Sequence, residues 1–191
     1  MSLILLGILN SQAAAAGGAG AYDLLETQVL TSNASSVTFT GLGSYSDYKH
    51  LQIRAVTRNA RTVGGHERIL LRFNSDTGNN YATHRLRGTG SGVSSLANSS
   101  TNKIYAGYSP RESSGSEFSA NVIDILDFSS TNKNTTVRAL AGFDSPSGNY
   151  IGLFSGLWND TSAVTSITFT DDGGDDFQAN TRFSLYGIKG A

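Results

Sequence analysis

From Tyr22 onward, apolar and polar positions alternate in short runs with a period of two. Residues 35–40 set Val37 and Phe39 against Thr38 and Thr40. Residues 48–58 place Leu51, Ile53 and Ala55 on one face and His50, Gln52 and Arg54 on the other. Beyond the Gly64-Gly65 turn, residues 66–74 point Ile69, Leu71 and Phe73 inward and Arg68 and Arg72 outward. A two-residue period with one polar face predicts half-buried strands. Further strands are predicted over residues 22–31, 81–87, 103–108, 117–126, 134–143, 149–158, 164–170 and 182–188, all rich in β-branched and aromatic side chains. Residues 88–102 are dominated by Gly, Ser, Thr and Asn, and they read as a long surface loop.

About ten strands without an amphipathic helix predict an all-β chain folded as an antiparallel β-sandwich. A jelly roll is the preferred version, ahead of other Greek-key sandwiches. No internal repeat is present, which argues against propellers and solenoids. The organisation expected is an N-terminal arm over residues 1–21 and a sandwich domain over residues 22–191.

The arm carries Leu3, Ile4, Leu5, Leu6, Ile8 and Leu9, followed by an Ala/Gly-rich link. This run is too short to span a bilayer, which takes ~20 apolar residues, so no membrane span is expected. It has the apolar core of a signal peptide but no Lys or Arg ahead of it. An exposed stretch of this kind is an aggregation liability, so it is read as a docking arm. A neighbouring copy, a partner protein and its own domain are all open as its seat. A signal peptide and an ordinary first element of the fold are the alternatives.

Composition narrows the function classes. Fourteen basic and fifteen acidic residues are scattered along 191 positions for a net charge of −1. No basic run exists to neutralise successive phosphates, so nucleic acid is not an expected partner. Low net charge suits a protein that packs against copies of itself. The absence of cysteine removes disulfides, thiolate metal sites and cysteine nucleophiles.

Candidate chemistry is sparse. His50, His66 and His84 lie in no metal-ligand spacing and read as solvated strand residues. Residues 88–92 lack the Gly-x-Ser-x-Gly register of a nucleophile elbow, and no acid pair defines a hydrolytic cleft. Asp171, Asp172, Asp175 and Asp176 flank Gly173-Gly174. Their oxygens are a weak candidate for calcium, although the same letters make an ordinary exposed turn. Tyr81, Tyr105 and Tyr108 are candidates for stacking on sugar rings from loops, against the usual fate of such residues in core packing. No catalytic residue and no cofactor is expected.

The segments Tyr22-Asp-Leu-Leu-Glu26, Ser35-Ser-Val-Thr-Phe-Thr-Gly41 and Tyr48-Lys-His-Leu-Gln-Ile-Arg54 resemble small structural proteins of marine, cyanophage-type tailed bacteriophages. Ser155-Gly-Leu-Trp158 and the ending Arg182-Phe-Ser-Leu-Tyr-Gly-Ile-Lys189 add to the likeness, the latter resembling the last strand of tail-fibre-like proteins. The resemblance implies a β-sandwich on the virion surface and transfers no catalytic residue. It implies a homo-oligomer, with a trimer as one form, attached to other virion proteins of the tail and meeting a bacterial surface glycan. The alternative is a capsid decoration (cement) protein bound to the major capsid protein. A glycan-active enzyme and a secreted lectin stand behind both.

Overall fold

The structure is a computed structural model that describes residues 21–111, 116–146 and 148–190. Twelve strands are formed among the described residues: β1 (Tyr22–Val29), β2 (Ser36–Phe39), β3 (His50–Thr57), β4 (His66–Phe73), β5 (Tyr81–Thr89), β6 (Gly92–Thr101), β7 (Ile104–Pro110), β8 (Ser119–Leu126), β9 (Thr135–Ser145), β10 (Gly148–Trp158), β11 (Ile167–Asp171) and β12 (Arg182–Ile188). The one helical element described is a 3-10 turn at Leu42–Tyr45. No helix among the described residues is long and apolar enough to cross a membrane.

The strands form two antiparallel sheets packed as a sandwich. One sheet has eight strands in the order β1-β12-β3-β8-β9-β10-β5-β6, and the other has four in the order β2-β11-β4-β7. Period-two alternation is what makes this possible, because each strand turns its apolar set to the layer between the sheets. Leu51, Ile53, Ala55, Ile123, Ile125, Val137, Ala139 and Phe154 of the large sheet share one core with Val37, Phe39, Ile69, Leu71, Phe73, Ile167 and Phe169 of the small one. The inward sets expected on β2, β3 and β4 are therefore the ones buried.

The expectation of a loop over residues 88–102 is corrected. Most of it is β6, paired with β5 from Tyr81↔Thr101 to Thr89↔Gly92 around a tight turn at Gly90-Ser91. Thr89 Oγ1 accepts the backbone N–H of Gly92 at 3.0 Å and closes the turn. Polar side chains suffice here because β6 is a sheet edge wetted on both faces and held by main-chain bonds.

A polar knot holds the middle of the sandwich together. β7 is an edge strand of the small sheet, and the N–H of Tyr108 points away from β4 toward the other sheet. Buried Asn121 on β8 takes that N–H onto Oδ1 at 3.0 Å. Its Nδ2 donates to Thr57 Oγ1 at 3.2 Å and Ser119 Oγ at 2.9 Å. Gly107 lies against this amide so closely that a Cβ there would fall 2.3 Å from Asn121 Oδ1.

Candidate functional site

Strand β5 presents Tyr81, Thr83, Arg85 and Arg87 on one phase. Tyr81 and Thr83 are buried in the core, whereas Arg85 and Arg87 emerge, half-buried, into a cleft. Its opposite wall is His66, Glu67 and Arg68, the first residues of β4. The cleft encloses about 250 Å³.

Three arginines converge on this space and differ in their compensation. Arg68 pairs with Asp172, which also takes Lys103 Nζ at 2.7 Å, and its guanidinium lies 4.4 Å from the centre of the Tyr105 ring. Glu67 is held by Arg61. Arg85 and Arg87 have no carboxylate within ion-pair distance among the described residues. Arg87 donates from Nε to Ser94 Oγ at 3.2 Å and lies 5.4 Å from the centre of the Tyr150 ring. Arg85 Nε is buried with no hydrogen-bond partner among the described residues.

His66 is not a solvated strand histidine. Its ring sits 4.0 Å from that of Tyr150 and 5.1 Å from that of Tyr108. Burial, reinforced by Arg87, Arg68 and Arg85, pulls its pKa down to about 4, so the imidazole is neutral at physiological pH.

Tyr81, Tyr105 and Tyr108, expected at exposed loops, are all buried. Tyr81 Oη donates to the carbonyls of Phe73 and Asp76 at 3.3 and 3.2 Å and accepts the N–H of Phe73, so it ties the β4–β5 connection. Burial pushes its phenol up to about 12. Tyr108 packs against Phe143, Tyr150 and Phe154 with its hydroxyl unpaired among the described residues. None of the three presents a ring face to solvent for a sugar. Every position of β7 is buried, which removes the polar face that a loop-side reading requires.

The acidic residues do fall at a turn. Asp171 is buried and accepts from Asn59 Nδ2 at 3.2 Å and from the Gly173 N–H at 2.9 Å. Burial, with Glu67 and Asp175 adding to it, pushes its pKa up to about 7. Asp172 is spent on Arg68 and Lys103, and Asp175 lies 3.6 Å from Arg61. Asp176 offers its backbone carbonyl to Ala60. Asp172 and Asp175 are thus neutralised by cations of the chain itself. Among the described residues no three His, Cys, Asp or Glu side chains are grouped to hold a metal. The candidate docking residues Leu3, Ile4, Leu5, Leu6, Ile8 and Leu9 lie outside the described residues.

A second feature lies on the outer face of the large sheet. Val122, Leu140, Leu153 and Leu86 are consecutive cross-strand partners on β8, β9, β10 and β5. Ile151 and Val93 extend this row on the adjoining register. These six side chains are between 38% and 77% exposed, so they form a continuous apolar strip in water. Asp124 and Arg138, joined at 2.8 Å, border it.

No family model, curated protein or solved structure matches this chain. What it does must be argued from the cleft, the strip and the fold.

Proposed function

We propose that this chain is a non-catalytic structural module of a tailed-phage virion surface, of the tail-fibre-like kind, which works as a self-associated β-sandwich. The observation that carries the self-association is the apolar strip. The largest apolar patch on a typical monomer covers about 300–600 Å² and often marks an interaction site. Five strands at ~4.8 Å spacing and two side-chain rows of ~6.8 Å give a strip of roughly 330 Å², within that range. The whole outer face of the sheet offers roughly 950 Å² by the same spacings, against the ~800 Å² per partner of a stable interface. An apolar centre within a polar surround is the usual anatomy of such an interface.

The occupant is a second copy of this chain. Asp124 and Arg138 at the rim form a mixed-sign pair, and a two-fold axis can set each against its opposite on the other copy. A net charge of −1 raises almost no repulsion between copies.

The strand order supports a jelly roll. β1, β12, β3 and β8 in one sheet facing β2, β11, β4 and β7 in the other is the interleaving of two nested Greek keys. On this reading β9, β10, β5 and β6 widen the first sheet. The virion assignment is supported by the resemblance of residues 22–54 and 155–189 to tail-fibre-like proteins, and host-surface adhesion is the role that goes with it.

Two measurements test the proposal. Light scattering after size exclusion is expected to show an oligomer for the native chain and a monomer for Leu140→Arg/Leu153→Arg. A native monomer at micromolar concentration removes the self-association. Mass-spectrometric counting in purified particles addresses the place: tens of copies support the tail, hundreds turn the reading to head-shell decoration, and none overturns the virion role.

A further inference from the structure

The β4–β5 cleft contains charge that the fold does not use. Burying a guanidinium edge without an acceptor costs stability, so native proteins seldom keep one idle. Arg85 lines the cleft without a carboxylate partner, and Arg87, two residues along the same face, has only the neutral Ser94 hydroxyl as a hydrogen-bond acceptor among the described residues. Residues i and i+2 of a strand stand ~6.8 Å apart on one face, so the two planar groups border one small volume.

We propose that this cleft binds one carboxylated sugar residue, with its carboxylate held by Arg85 and Arg87 and its hydroxyls meeting Glu67 and His66. Guanidinium forks match a planar carboxylate with paired, charge-assisted hydrogen bonds. Glu67 decides between ligand classes. Arg61 takes one of its carboxylate oxygens, and the other can accept a hydroxyl donor, which a sugar offers and a bare inorganic anion lacks. Neutral His66 can both donate and accept, as a ring of hydroxyls requires. A volume of about 250 Å³ falls below the range of pockets for larger organic ligands and suits a single ring. A nucleic acid backbone would need a track of cations, and this is an isolated pair. The inference does not rest on self-association and stands or falls separately from it.

The test is titration of the isotope-labelled full chain with glucuronate, glucose and sulfate, followed by amide NMR. Saturable shifts with glucuronate at the amides of residues 66–68 and 85–87, and none with glucose, are expected. Arg87→Gln should weaken the binding at least tenfold while leaving the melting temperature unchanged, since its side chain is half-exposed. Arg85→Gln should do the same, with its fold checked by the same amide spectrum. No saturable glucuronate binding into the millimolar range overturns the proposal. So does sulfate binding as tightly as glucuronate, or shifts confined to another part of the sandwich.

Discussion

Two buried groups titrate in opposite directions over the same pH range, and replacing one should uncover the other. Asp171 keeps its proton in the folded chain up to about pH 7, while the unfolded carboxyl loses it near 3.8. Between these values the folded state binds the extra proton, so its contribution makes stability fall as pH rises. His66 stays neutral in the folded chain down to about 4, while the unfolded imidazole takes a proton near 6.5. There the unfolded state binds the extra proton, so this contribution makes stability rise with pH. A tenfold difference in proton affinity between the folded and unfolded states is worth about 1.4 kcal/mol, which bounds the two contributions at roughly 4 and 3 kcal/mol. They nearly cancel between pH 4.5 and 6.5.

The native chain should therefore show a nearly flat stability over that interval. Asp171→Asn removes the falling part and leaves the rising one, so its unfolding free energy should climb by about 2–3 kcal/mol from pH 4.5 to 7. An asparagine oxygen can still accept the Gly173 N–H, while its amide faces the Asn59 Nδ2 donor, so that bond is lost at every pH and the slope alone carries the test. Urea unfolding followed by tryptophan fluorescence at closely spaced pH values measures this through Trp158. Parallel profiles for the two proteins would refute the assignment of a buried, protonated Asp171.

Two further outcomes follow from packing. Asn121→Ala leaves the buried N–H of Tyr108 without an acceptor, which should cost about 1–3 kcal/mol in urea unfolding and speed hydrogen exchange at that amide. Gly156→Ala would place a Cβ 2.3 Å from Ile104 Cγ2, and thermal unfolding should show a loss of about 1–3 kcal/mol, and Ile104→Ala, which removes Cγ1, Cγ2 and Cδ1, should make the Gly156→Ala change cost less.

The half-buried strands were legible because alternation survives wherever one face meets the core, as in Val37/Phe39 and Leu51/Ile53/Ala55. β6 was not, because an edge strand wetted on both faces needs no apolar phase. The cleft was hidden for a related reason. Arg85 and Arg87 continue the inward phase of Tyr81 and Thr83, but the apolar residue between them, Leu86, points out. Read by hydrophobicity alone, β5 turns inside out at its far end. The tyrosines misled in the opposite sense: Tyr105 and Tyr108 sit on a strand covered on both faces, a property of the facing sheet and not of their own segment. The acidic turn was legible as a turn, but its neutralising partners Arg61, Arg68 and Lys103 come from distant segments.

The positions of β11 and β12 in the two sheets set a timetable for the molecule. β12 lies between β1 and β3, and β11 lies between β2 and β4, so β1 is joined to β3 and β2 to β4 only through the late strands. Tyr22 pairs with Ile188 across nearly the entire described sequence. Little of the first half can be completed as it is synthesised, and ring closure over long stretches must precede most of the stabilising contacts. Such a chain folds late and slowly, and until β11 and β12 arrive, β1 to β4 are open edges that another copy could fill.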